Sequence, residues 1–133
     1  LALLMLVVGW RPVKRLFLLR HLKFPFWQVS PTTRIEQGWR LVEIALGDVG
    51  VHPIPGEDAC GLAHRAAPVL QKISPIEVHG LTEAADAMDR VRFGLGVTSE
   101  DVKIMERFSV WTMDTIWERL SDRDQLRCMY REI

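Results

Sequence analysis

The feature that most constrains this chain is the period of its apolar residues. In Leu81–Gly96, LTEAADAMDRVRFGLG, they fall at Leu81, Ala84, Ala85, Met88 and Val91. That spacing draws one stripe along a 3.6-residue helix, while Glu83, Asp86, Asp89, Arg90 and Arg92 take the other faces. Gly94 and Gly96 can adopt positive φ and end it. A half-apolar helix this short needs partners, so the rest of the domain is expected to pack around it.

The same period recurs along the chain, and no segment has the two-residue period of a strand. Thr33 and Glu36 form a T-x-x-E capping pattern. The stripe behind it runs through Ile35, Trp39, Val42, Ala45 and Leu46 and stops at Gly47–Gly50. Val51–Gly56, VHPIPG, is a turn with two prolines, and Glu57–Ala67 is the next expected helix, with Glu57 and Asp58 complementing its dipole. Pro68 can kink or end it. Ser74, Pro75 and Glu77 supply start signals for a helix that either runs on to Phe93 or breaks at Gly80. Thr98 or Ser99 caps a long helix over most of Ser99–Leu120, with Glu100 and Asp101 in its first turn. Ser121 and Asp124 open a short last one. Trp39, Val42, Leu81, Met88, Val91, Met105 and Phe108 are the expected common core.

The chemistry-bearing residues form no catalytic constellation and no cofactor or metal site. Glu57 and Asp58 are adjacent, so on a helix they point in different directions. Cys60 and His64 lie four apart and can share a face, but no third ligand or orienting group accompanies them. His52 stands alone in a loop. Cys60 and Cys128 belong to no CxxC motif and are read as two free thiols.

Charge is segregated. The 133 residues carry 17 basic and 17 acidic groups, yet Arg11, Lys14, Arg15, Arg20 and Lys23 precede residue 30 with no acid among them. A basic end next to an acidic remainder points to an anionic surface as partner and away from nucleic acid. Ahead of these bases stands Leu1–Trp10, LALLMLVVGW, apolar throughout. Ten helical residues rise about 15 Å, half a hydrocarbon core. The stretch reads as the end of a transmembrane helix, as a signal-peptide remnant, or as the start of a buried helix. The order favours the first: apolar run, then bases, bracketed by Trp10 and Trp27, as at a membrane boundary. Val13, Leu16, Leu19 and Leu22 roughly share a face, which suits an interfacial helix. Trp10, Arg11, Lys14, Arg15, Arg20, Lys23 and Trp27 are therefore the candidate membrane-interface residues. The first residue is Leu1 rather than Met, so the chain reads as part of a longer or processed protein.

Taken in order, these signals resemble the C-terminal helical domain that follows the last span of bacterial transglutaminase-like membrane proteins, and that also occurs in shorter membrane proteins lacking the enzyme domain. The resemblance rests on a span (Leu1–Trp10), a basic segment (Arg11–Lys23) and an amphipathic helix ending in glycine (Ile35–Gly50). It continues with a Pro/Gly turn into an acidic helix start (Pro53–Gly56, Glu57, Asp58) and with Arg92, Phe93 and Gly94 closing a helix. It covers roughly residues 1–120. The usual Thr-Pro before the acidic start is absent, and Phe93 stands where a tyrosine is usual. The domain has no established activity, and no residue here inherits the enzymes' Cys-His-Asp triad.

The expectation is an all-α fold: a bundle of four or five helices over residues 28–133, preceded over 1–27 by the end of a span and a basic juxtamembrane helix. The expected role is that of a non-enzymatic cytoplasmic accessory or interaction domain of an integral membrane protein, located at the cell membrane. Its expected partners are membrane lipid and, second, another membrane-protein domain. One alternative is the C-terminal tail of a transglutaminase-like membrane peptidase whose catalytic domain lies outside this chain. Another is a soluble helical ligand-binding or enzymatic domain using His52, His64 and nearby acids.

Overall fold

The computed structural model describes residues 1–23, 30–73 and 78–131. Among these the chain is all-helical, with six helices and no strand. They are α1 (Ala2–Lys23), α2 (Pro31–Asp48), α3 (Ala59–Ile73), α4 (Val78–Arg92), α5 (Ser99–Arg119) and α6 (Asp122–Met129).

The helix at the centre is α2 rather than the Leu81–Gly96 stretch. Ile35, Trp39, Leu41, Val42, Ile44, Ala45 and Leu46 are all buried, because α2 packs on α1, α4 and α5. The helix α4 keeps Glu83 and Asp86 in solvent and packs against α2, α3 and α5 through Leu81, Ala84, Ala85, Ala87 and Met88. Six of the seven expected core residues are buried, and Val91 packs on the core's edge. Along the α2–α5 seam Gly38 lies so close to Met105 that a β-carbon there would collide with the methionine side chain.

The ends of these helices follow from local chemistry. Ser30, not Thr33, caps α2: its hydroxyl accepts from the Thr33 amide, and Pro31 takes the first turn. The capping box at α5 is Thr98 with Asp101, each side chain bonded to the other's backbone N–H. Ser121 caps α6. Both α2 and α4 end in Schellman turns. Gly50 (φ 88°) and Gly94 (φ 71°) supply the left-handed residue. Val51 N–H then reaches Leu46 O, and Leu95 N–H reaches Arg90 O. The helix α3 starts two residues later than expected and passes through Pro68 to Ile73. Likewise α4 runs straight through Gly80. Ser74, Pro75 and Glu77, the start signals expected before it, lie outside the described residues.

Where the end of a span and a separate basic juxtamembrane helix are expected, Ala2–Lys23 is one continuous helix that passes through Pro12. No helix of the described residues is long and apolar enough to cross a membrane. The second half of α1 belongs to the bundle, with Arg15 buried and Leu18 and Leu19 packed on its core.

Candidate functional site

The first half of α1 presents apolar side chains to solvent. Leu1, Leu3, Leu4, Met5, Leu6, Val7, Val8 and Trp10 are between 51% and 96% exposed, and the surface continues through Leu16 and Phe17. Contiguous exposure of this many large apolar side chains is uncommon on the surface of a monomer. Lys14 and Arg20 are exposed beside it. Trp10 stands at the border between the apolar residues and the bases, as expected. Lys23 is the last helical residue, and Trp27 lies outside the described residues.

Arg15 departs from this picture. Its place among the interface bases, with no acid in residues 1–30 to pair it, leads one to expect it at the surface, yet it is buried against an acid from α2. Its Nη2 donates to Asp48 Oδ2 at 2.5 Å, with the two side chains 4% and 1% exposed. Its Nη1 donates to the Cys128 carbonyl at 3.2 Å, and its guanidinium lies over Trp117, 5.7 Å from the ring centroid. The other Asp48 oxygen accepts from Arg131 Nη2 at 2.9 Å, and that nitrogen also donates to Ile44 O. Gly47 makes room for this: a β-carbon there would lie 2.9 Å from the Arg131 guanidinium nitrogens. Charge-assisted bonds from Arg15 and Arg131 to Asp48 thus join α1, α2 and the second residue beyond α6. Arg11 extends the contact by donating to Tyr130 O at 3.1 Å.

Two hollows flank this anchor. A cleft of about 720 Å³ opens beside Asp48, with His52, Leu120, Arg127 and Tyr130 on its walls. A smaller groove of about 240 Å³ runs between α1, α5 and α6, lined by Pro12, Leu16, Leu19, Met113, Trp117 and Met129.

The sequence pattern pointed to the bases of α1 but not to Asp48, Cys128 or Arg131. One signal was present. An acid in the last turn of a helix opposes the macrodipole, so a cationic partner offsets the cost of Asp48 at the end of α2.

Cys60 and His64 are both exposed, and Cys60 is a free thiol at the start of α3. A helix N-terminus ordinarily lowers a thiol's pKa. Here the thiol's hydrogen bond to Asp89, then burial and neighbouring acids, push Cys60 up to about 12. Asp89 reaches from α4 to accept from the amides of Ala59 and Cys60 at 2.8 and 3.0 Å. Burial would raise its carboxyl, but the Cys60 thiol, those two amides and Arg92 outweigh it and leave it low. Asp58 accepts from the Gly61 amide at 2.6 Å, and Glu57 chelates Arg65 at 2.6 and 2.7 Å. The acids near Cys60 and His64 are thus engaged in building α3. No group of three or more metal-ligating side chains occurs among the described residues. Cys128, the second free thiol, is buried beside Asp48.

Comparison with protein-family models, with curated proteins and with solved structures found no match to this chain.

Proposed function

We propose that this chain is a non-enzymatic interaction domain of a membrane protein, held on the cytoplasmic side of the lipid through the first half of α1. The observation that carries the reading is the exposure of Leu1–Trp10 on a chain whose other apolar residues largely close into a core. The charge order supports it. No acid occurs on α1, and Lys14 and Arg20 remain in solvent below the apolar run. Bases close to an anionic surface contribute about 1 kcal/mol each, and bases following an apolar run favour the cytoplasmic face. The apolar run rises about 15 Å, so α1 by itself enters half of a bilayer. The resemblance to the C-terminal domain of transglutaminase-like membrane proteins points to the same placement.

Flotation with lipid vesicles tests this. The chain should float with vesicles containing anionic lipid, and less with purely zwitterionic ones. Leu3→Gln with Leu6→Gln should abolish flotation without changing the helical circular dichroism of the bundle. A chain that stays quantitatively in the soluble fraction with both kinds of vesicle would end the membrane reading.

A further inference from the structure

The last helix does not hold itself. With eight residues, α6 is far below the length at which an isolated helix is stable in water. Leu126, its large aliphatic residue, is 58% exposed, and Cys128 is its buried one. At its start Gln125 Nε2 donates to Trp117 O of α5 at 2.9 Å. At its end the carbonyls have no intrahelical partner, as at any helix C-terminus. Two carbonyls at that end accept from cations at the opposite end of the chain: Cys128 O, which also accepts from the Arg131 amide, from Arg15, and Tyr130 O, just past the helix, from Arg11. Arg131, just beyond, reaches the same Asp48 carboxylate that Arg15 holds.

We propose that α1 and α6 are one coupled unit: α6 is ordered on the bundle only while Arg11 and Arg15 are docked, so that displacement of α1 is transmitted to the C-terminal end of the chain. Lifting α1 removes both arginine donors from the Cys128 and Tyr130 carbonyls. It also opens Asp48 to water. The Arg131–Asp48 pair then becomes an exposed ion pair, which contributes little. The ties that do not involve α1, Gln125 to Trp117, Arg131 to Ile44 O and the Cys128 thiol to Asp48 O at 3.7 Å, do not replace these bonds. The coupling is internal to the chain and goes beyond the lipid reading: whatever moves α1, lipid or protein, has its effect reported at α6.

Backbone hydrogen exchange read segment by segment on the full chain in neutral detergent tests it. Arg11→Gln removes one of the bonds and leaves the buried pair untouched. The paired change Arg15→Gln with Asp48→Asn removes both charges, so neither is left buried alone. Leu19→Asp loosens α1 through a residue that bonds nothing in α6. In each variant the amides of residues 124–131 should exchange about tenfold faster or more, since bonds from charged donors are lost. The amides of α4, which packs on α2, α3 and α5, should keep their native rate. Unchanged α6 exchange in any of the three variants overturns the proposal. So does acceleration of α4 to the same degree as α6, which would mean the bundle opens as a whole. Exchange of α6 in the native chain at the rate of a free peptide overturns it as well.

Discussion

Asp48 is the residue on which the join between α1 and the bundle turns. Its carboxylate is 1% exposed and divided between two guanidinium groups. Removing one partner of a buried pair leaves an uncompensated charge, at a cost of about 3–5 kcal/mol. Asp48→Ala should therefore destabilise the domain by roughly that amount in denaturant unfolding, and a loss below about 1 kcal/mol would show that water already screens the pair. Cys60 gives a second prediction at this scale. Its thiol hydrogen-bonds Asp89 and is held at about 12, so at neutral pH the thiolate that alkylating reagents attack is scarce. Asp89→Asn should speed alkylation of Cys60 about tenfold or more at pH 8, and an unchanged rate would show that access, not ionisation, limits the reaction. Asp101 supplies a pH dependence. Arg90 bonds it twice, at 2.7 and 2.9 Å, and that pair, with Thr98, outweighs burial and holds the carboxyl below its usual range. The carboxylate's stabilisation is complete above the unfolded pKa of about 3.9 and is lost as pH falls through the lower folded value. Arg90→Gln should move the acid-unfolding midpoint upward, and an unmoved midpoint would assign acid unfolding to other carboxylates.

Among the elements, α2 and α5 share the most extensive contact, and the missing side chain at Gly38 lets Met105 approach α2 there. A β-carbon at that position would strike Met105, which is fully buried. Overpacking of this kind costs typically about 1–3 kcal/mol. Gly38→Val should lower the unfolding midpoint accordingly, and Met105→Ala placed beside it should recover part of the loss. Additive effects of the two changes would show that they do not meet. The seam also explains why α2, not α4, sits at the centre. Its apolar residues nearly encircle it, Leu41 and Ile44 as well as the Ile35–Trp39–Val42–Leu46 stripe, and it has three helical neighbours to cover them. A narrow stripe, as on α4, leaves a polar face that must stay in water.

At the scale of the whole molecule, α1 has two halves with different duties. Residues before Arg11 are exposed, whereas Arg11, Arg15, Leu18 and Leu19 are tied into the bundle. A chain beginning at Arg11 should therefore keep the thermal stability of the full chain and float less with anionic vesicles than the full chain does. A chain beginning at Ser30 should be less stable, because Asp48 is left with Arg131 alone and the groove beside Met113 and Trp117 is uncovered. Equal melting temperatures for the two would show that α1 adds nothing to the fold.

Much of the architecture was legible in the residues. The 3.6-residue period marked the helices, because a helix must bury one face and the chain has to place its apolar residues accordingly. Glycine after the last apolar turn marked the ends of α2 and α4. Caps were less so: Thr33-x-x-Glu36 matched the pattern, but Ser30 with Pro31 behind it offered an earlier start, and the chain used it. What only the tertiary structure decided is pairing between residues far apart in the chain. Arg15 reads like its neighbours Arg11 and Lys14, and nothing local distinguishes it. It is buried because Asp48, 33 residues away, and the Cys128 carbonyl, 113 residues away, converge on it. Pairing of charges depends on distance in space, and local spacing carries no information about distance between helices.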